Sequence, residues 1–365
     1  MLKWLFYLLI FPATLGVAGW QGWAWWSWAS APPQAEAAPT DAELAAALVQ
    51  YDISQGTSAR QIGQDLASAG MIRSEMAWNL WTRWQTVTNR PGGFLAGTYV
   101  ISPVEPMEAI ANRIWEGDVV ELSVTIPEGW TLADIASAFA AQGDFAAEDF
   151  IAASRQVSQA DYPWLPAGVF GADGANLEGF LYPDTYQLAN NAAPEQLVGQ
   201  MLDRFEQVAL PVYERQSSPY SLLEWVTLAS IVEREAVIAS ERPLIAAVFA
   251  KRLRENIPLG ADPTVEYALG IRQTPENPLT FSDIRTPSPY NTYRNPGLPP
   301  GPIANPGVAS LEASLNPPDT EFLYFVARYD GTHVFSRTLQ EHEAAQSQIR
   351  DRIDAQQPSE SSSDS

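Results

Sequence analysis

Cysteine is absent from the 365-residue chain, and the only lysines and histidines are Lys3, Lys251, His333 and His342. Without cysteine there is no disulfide framework, no thiolate nucleophile and no cysteine metal site. His342-Glu-Ala-Ala-Gln346 copies the spacing of a zinc-protease helix but puts Gln346 where the second histidine must stand, which excludes a two-histidine helix site. A pyridoxal phosphate enzyme needs an internal Schiff-base lysine. Outside the N-terminal segment only Lys251 is available, in the basic run Ala250-Lys-Arg-Leu-Arg254, a poor setting for one. No metal and no organic cofactor is expected. Positive charge is scarce overall: 21 Lys and Arg face 43 Asp and Glu, for a net charge of −22. Such a surface repels nucleic acid and offers anionic lipid no polybasic patch.

What is present begins with a long apolar run. Leu2 to about Ala29 carries one charge, Lys3, and crowds Trp20, Trp23, Trp25, Trp26 and Trp28 at its far end. Its length suits a membrane span, and the tryptophans suit an interfacial belt. With Lys3 before the span and no Lys or Arg until Arg60, the positive-inside tendency places the body outside the cytoplasm. A cleaved signal peptide ending near Ala29-Ser30-Ala31 is the rival, but the run is longer and richer in tryptophan than such peptides usually are. The expectation is a single-pass anchor over residues 1–29, then a tether rich in Ala, Pro and acidic residues over 30–46.

The next segment carries a pattern that occurs twice. Val49, Tyr51 and Ile53 alternate, followed by Gly56, a cap at Ser58, then Ile62 and Leu66 at helical spacing, and Gly70. The order recurs with Val120, Leu122, Val124 and Ile126, then Gly129, Thr131, Ile135, Phe139 and Gly143. Both read as strand, tight turn, capped helix, glycine stop. Between them Ser74 caps a helix bearing Trp78, Trp81 and Trp84, and Gly97–Ser102 reads as a returning strand. Strand, helix, helix, strand is the order of LysM carbohydrate-binding modules, which this region, residues 47–119, resembles. Residues 144–220 read as irregular, and the tail 353–365 as disordered by composition.

The chemistry centres on Leu228–Ser240, where Glu233 and Glu235 interrupt a run that is otherwise small and apolar. Leu222 to about Ile238 is expected as one buried helix, with Ser240 capping a second that tolerates Pro243 in its first turn. A two-residue step turns about 200° on an α-helix, so the two glutamates face opposite ways. Glu235 aligns with Leu228, Ile231, Val232 and Ile238, and Glu233 with Val226, Ala229 and Ser230. Desolvation by the bulkier wall raises the pKa of Glu235, as a general acid near neutral pH requires. The alternative is that one or both are structural, salt-bridged glutamates. Downstream, Asp262-Pro-Thr-Val-Glu-Tyr267 enters a short helix. A proline-stiffened loop from Thr286 presents Tyr290, Asn291, Thr292 and Tyr293, groups able to hold sugar hydroxyls.

Several of these stretches, in one order, resemble the YceG-like family, the MltG endolytic murein transglycosylases. They are Glu178-Gly-Phe-Leu-Tyr-Pro-Asp-Thr185, Ala229-Ser-Ile-Val-Glu-Arg-Glu235, Ala239-Ser-Glu-Arg242, Asp262-Pro-Thr-Val265, Pro289-Tyr-Asn-Thr-Tyr293, Gly297-Leu-Pro-Pro300 and Leu323-Tyr-Phe-Val-Ala327. The resemblance runs from about residue 49 to 350. It implies that the second glutamate of the Glu-x-Glu pair, here Glu235, is catalytic. Glu233 and Asp262 are candidate helpers, and Thr264, Tyr290, Asn291, Thr292 and Tyr293 candidate substrate-binding residues. The proline-rich stretch, acidic tail and heavy tryptophan belt are not marks of the family.

The fold expected is α+β: an N-terminal transmembrane helix, a LysM-like βααβ module, then a mixed α/β catalytic domain over 120–352. The activity implied is cleavage of the β-1,4 bond from MurNAc to GlcNAc without water, leaving 1,6-anhydro ends within nascent strands and so ending their elongation. The partners implied are peptidoglycan strands, the inner membrane through the N-terminal helix, and peptidoglycan synthases, with the body periplasmic. The competing class is a non-catalytic peptidoglycan-binding or division scaffold, in which Glu235 is dispensable.

Overall fold

The computed structural model describes residues 11–34, 47–54, 56–88, 92–142, 145–189, 192–215, 217–274, 277–328 and 330–356. Lys3, most of the expected tether and the end of the tail lie outside the described residues. Two compact units divide the chain: residues 1–123 with 187–192, and residues 124–186 with 193–365.

In the first unit α1 (Phe11–Ala29), β1 (Val49–Ile53), α2 (Ala59–Ser68), α3 (Glu75–Val87), β2 (Gly97–Ile101) and α4 (Met107–Glu116) follow in order. β1 and β2 pair antiparallel, Val49 opposite Ile101 and Ile53 opposite Gly97. The serines read as caps do cap: Ser58 Oγ accepts from Gln61 N and Ser74 Oγ from Ala77 N, each at 3.2 Å. The core is aromatic. Trp78 donates its indole N–H to Ala59 O at 2.7 Å, and Trp81 meets Trp115 edge-on at 5.9 Å, among Ile62, Leu66, Tyr99 and Met107. Trp84, the third tryptophan of α3, points outward.

α1 is the described part of the expected span. Ala29 at its end is buried in the aromatic core with Trp25 and Trp26 packed alongside, while Leu15, Val17, Trp20 and Trp23 are exposed. Among the described residues no helix is long and apolar enough to cross a membrane. The apolar character of α1 comes largely from Ala, Gly and Trp, with few long aliphatic side chains.

β3 (Glu121–Thr125) is followed by α5 (Leu132–Gln142), α6 (Ala147–Arg155), the hairpin β4 (Phe170–Gly171) and β5 (Gly174–Ala175), and β6 (Thr185–Ala189), which pairs with β3. Thr131 and Asp134 cap α5 reciprocally, Asp134 N donating to Thr131 Oγ1 at 3.0 Å and Thr131 N to Asp134 Oδ2 at 2.9 Å. The stretch 144–220, expected to be irregular, instead contains α7 (Pro194–Glu214), 21 residues long. Its buried Leu197, Val198, Met201, Leu202 and Phe205 do follow a helical period. Pro211 obscures the pattern, yet it lies in the last turn, where losing one backbone N–H costs little helix.

α8 (Leu222–Glu235) starts with a capping box, Ser221 N donating to Glu224 Oε2 at 2.8 Å and Glu224 N to Ser221 Oγ at 3.4 Å. Every residue from Trp225 to Val232 is buried, so α8 is covered on all sides. It packs against α9 (Arg242–Arg254), α10 (Asp262–Leu269) and α11 (Val308–Leu315). Its small Ser230 lets the loop before α11 approach, and Ile303 N donates to Ser230 Oγ at 3.0 Å. β7 (Tyr324–Ala327) and β8 (His333–Ser336) form an antiparallel pair on which α12 (Leu339–Gln356) rests. β7 is half-buried: β8 pairs with it, α12 rests on it, and from α9 Phe249 meets Phe325 edge-on at 5.5 Å.

Two boundaries near the glutamates differ from expectation. α8 ends at Glu235, not near Ile238, because Ala236 turns extended and Val237 and Ile238 pack beside Gly331. Ser240 caps nothing: Ala239–Glu241 form a 3-10 turn, and α9 begins at Arg242 with Pro243 in its first turn. The Glu241 carboxylate is occupied elsewhere, accepting from His333 N at 3.1 Å and lying 2.7 Å from His333 Nδ1.

Candidate active site

Because Glu235 is the last residue of α8, its carboxyl leaves the apolar packing of the helix and comes within electrostatic range of Arg252 on α9, Asp262 and Glu266 on α10, and Tyr293 of the tyrosine loop. It is half-buried by surface area, yet closely enough surrounded that burial lifts its carboxyl to about 8. The carboxylates of Asp262 and Glu266 push in the same direction, and the guanidiniums of Arg234 and Arg252 oppose it. Arg234 is tied to Glu266 at 2.6 Å, and Arg252 donates to the carbonyls of Leu259 and Leu323, each at 2.6 Å. Among the described residues the Glu235 carboxyl has no hydrogen-bond partner of its own. It is therefore protonated at neutral pH and free to give that proton away.

Glu233 stands in different surroundings. Only 6% of its side chain is exposed; Oε1 accepts from Arg242 at 3.2 Å and Oε2 from Gly307 N, at the start of α11, at 3.1 Å. Arg242 is held in turn by Ser310 Oγ at 3.0 Å. A Cβ on Gly307 would fall 1.9 Å from Glu128 Oε1, so the glycine leaves room for the Glu128 carboxylate beside Glu233. Both oxygens of Glu233 are committed to joining α8, α9 and α11, and the opposite helical faces read from the sequence are realised.

Asp262, in the first turn of α10, accepts from the hydroxyl of Tyr293 at 2.6 Å. Burial, then the charges of Asp262 and Glu235, hold the Tyr293 hydroxyl well above its ordinary range, so it remains a donor; the ring is 40% exposed. Glu235, Asp262 and Tyr293 thus form one electrostatic group. The other residues expected to touch substrate are placed differently. Asn291 is fully buried, donating to the carbonyls of Ile284 and Thr286 and accepting from Tyr293 N at 3.0 Å. Thr264 and Thr292 are buried against each other at 2.9 Å, and Thr292 Oγ1 also accepts from Ala261 N. With their polar atoms committed inside the protein, these three set the positions of Tyr293 and Asp262. Tyr290 is half-buried and packs its ring on Tyr267 at 4.9 Å.

A second carboxyl of the same kind is Glu178, which the sequence places in a family-like stretch without marking it as an acid. Glu178 is 3% exposed and burial lifts it to about 8, with the charge of Asp134 adding to the effect. Leu132 N donates to Oε1 at 3.0 Å, Asn305 Nδ2 to the same oxygen at 3.4 Å, and the Tyr267 hydroxyl to Oε2 at 3.3 Å. The available signal was one charged residue between Leu177 and Phe180-Leu181, all buried. Glu178 lines a pocket of about 640 Å³ together with Leu132, Asp134, Arg234, Glu266 and Arg272. Glu235 is not part of its lining, but Arg234 and Glu266 both line the pocket and act on Glu235.

The YceG-like family model matches residues 51–348. An endolytic murein transglycosylase of Bacillus subtilis (strain 168) is 33% identical over 307 residues, covering 81% of this chain and 83% of that protein. One from Streptococcus pneumoniae serotype 2 (strain D39 / NCTC 7466) is 30% identical over 320 residues, with 57% of its own length covered. A crystal structure of a yceG-like protein from Listeria monocytogenes matches with a TM-score of 0.55 at 31% identity, over 82% of this chain and 99% of that one. Sequence and fold agree over most of the length on which the carboxyl group of α8 and the tyrosine loop lie: the chain belongs to the YceG-like family.

Proposed function

We propose that the chain is an endolytic murein transglycosylase in which Glu235 is both acid and base. The observation that carries the reading is the contrast at the end of α8: Glu235 is protonated at neutral pH and, among the described residues, unpartnered, whereas Glu233 has both oxygens occupied. The names of the relatives supply the substrate class, murein. In the proposed reaction the Glu235 carboxyl protonates the glycosidic oxygen of the β-1,4 bond from MurNAc to GlcNAc as the bond to C1 breaks. The resulting carboxylate removes the proton of the MurNAc C6 hydroxyl, whose oxygen bonds to C1 and closes a 1,6-anhydro ring. Glu235 ends protonated again, and no water is consumed. An ordinary glycosidase needs a second carboxylate to supply a nucleophile or activate water; here the sugar supplies it. Asp262, beside Glu235 and steadied by the Tyr293 hydroxyl, stabilises the positive charge that develops at C1.

Incubating the full chain with purified peptidoglycan and weighing the products tests this. Anhydro ends, one water lighter than reducing ends, with long oligomers released early, are the expected result. Reducing ends would turn the assignment into a hydrolase, and a folded protein that cuts nothing would leave the scaffold reading. The same proposal includes a membrane anchor built from α1 and the residues before it, with the body periplasmic, on the strength of Lys3 and the tryptophan belt. Protease added to spheroplasts should then digest everything beyond about residue 31, and full protection would refute that topology. The βααβ module is read as LysM-like because its strand and helix order and antiparallel pairing match that arrangement.

A further inference from the structure

The pocket over Glu178 contains charges that the reaction does not use. Two of its cation–anion pairs are closed, Arg234 with Glu266 at 2.6 Å and Arg272 with Asp134 at 2.8 Å. Arg155, at the end of α6, and Asp173, in the turn before β5, also line it, and among the described residues neither has an ion-pair partner. The two segments are in firm contact. A Cβ on Gly174, whose φ is +102°, would fall 2.6 Å from the Arg155 carbonyl oxygen, so Arg155 and Asp173 are held as neighbours without joining each other. One free guanidinium and one free carboxylate at a shared opening form the complement of a ligand bearing both signs. The space of about 640 Å³ is that of a small-ligand site, far more than a few waters need.

We propose that this pocket holds a zwitterionic peptide branch of the glycan substrate, Arg155 taking a carboxylate of the branch and Asp173 its amine. The proposal rests on the reading of the substrate as murein, whose glycan strands bear short peptide branches. Glu178 fits the same role. Protonated at neutral pH, it brings no net charge to the floor of the pocket and can donate a hydrogen bond to a peptide carbonyl. Because Arg234 and Glu266 belong both to the pocket and to the surroundings of Glu235, a branch seated there is registered against the acid, and the neighbouring glycosidic bond is the one cut.

Initial rates on branched glycan strands, and on strands stripped of peptide by an amidase, test the proposal in the full chain, in Arg155→Gln and in Asp173→Asn. Both residues are exposed, so neither substitution threatens the core. Stripping should raise the KM of the unsubstituted chain about tenfold, the usual effect of one charge-assisted contact. Each variant should show a KM on branched strands raised about tenfold, collapsing the ratio between the two substrates to about one. An unchanged ratio in both variants would overturn the pocket assignment. Calorimetric titration with the amidase-released peptide separates this from the reaction itself. Peptide binding that is lost in Arg155→Gln supports the pocket even if no glycan is cut. Absent binding, together with an unchanged ratio and normal anhydro products, refutes the pocket and leaves the reaction standing.

Discussion

Glu233 and Glu235 lie two residues apart on α8, and the two sides of that last turn have become different environments. On the Glu233 side the helix meets α9 and the start of α11, and an arginine and a backbone amide occupy the carboxylate. On the Glu235 side the helix runs out, and the carboxyl faces the charges of Asp262 and Glu266 with no donor attached among the described residues. One carboxylate has both oxygens bonded and joins elements; the other is destabilised as a charge and becomes an acid. A glutamate within an apolar helix is a reagent when its neighbours disfavour ionisation and none of them ties it down.

The sharpest way to break the comparison is to exchange the roles. Glu235→Gln keeps the volume but has no proton to give, and kcat should fall about 10²–10⁴-fold, the usual loss for a general acid. Because the native carboxyl sits above its ordinary 4.5, the folded state holds a proton that the unfolded chain has released, so wild-type stability falls as pH climbs from about 4.5 to about 8. Glu235→Gln should therefore melt no lower than wild type at pH 8. If kcat survives and the melting point drops, the two glutamates have been assigned the wrong way round.

Glu233→Gln is the mirror experiment. It leaves Arg242 without its buried anion, at a cost of about 3 kcal/mol, the lower end for breaking a buried pair. Denaturant titration should show that loss at pH 7, with kcat of the remaining folded protein well above that of Glu235→Gln.

The smallest effect separates the two acids that share a value of about 8. In wild type, kcat/KM should fall above about pH 8 as Glu235 loses its proton. Glu178→Gln should keep that limb but remove a few degrees of the melting-point decline between pH 5 and 8, because the buried ionisation it eliminates lies in another pocket. A limb that disappears with Glu178 would make Glu178 the group that controls the rate.

How much of this was legible in the sequence varies from residue to residue. The caps at Ser58, Ser74 and Thr131 and the antiparallel partner of β1 were readable because a cap or a short alternating strand depends on residues close in sequence. α7 was missed because Pro211 reads as a break, although the buried stripe around it kept its period. Ser240 looked like a cap, but a 3-10 turn and the His333–Glu241 contact used the segment otherwise. Thr264, Asn291 and Thr292 looked like sugar ligands because hydroxyls and amides in a proline-rich loop resemble a binding surface. Only packing showed that their partners lie inside the protein.

By itself the sequence determined that α8 is buried, that its two glutamates face apart, and that no cysteine, histidine pair or lysine competes with them for the chemistry. Those are properties of composition and of a 3.6-residue turn, and need nothing from distant residues. The apolar face pointed to Glu235 as the acid but left open that either glutamate was salt-bridged, and only tertiary structure decided that Glu233 is the clamped one. Arg242 and Gly307 had to reach one, and Asp262, Glu266 and Arg252 had to surround the other, each from a different element. It likewise decided that Glu178 is a second acid, since a carboxyl's pKa follows the burial and charges that folding assembles around it.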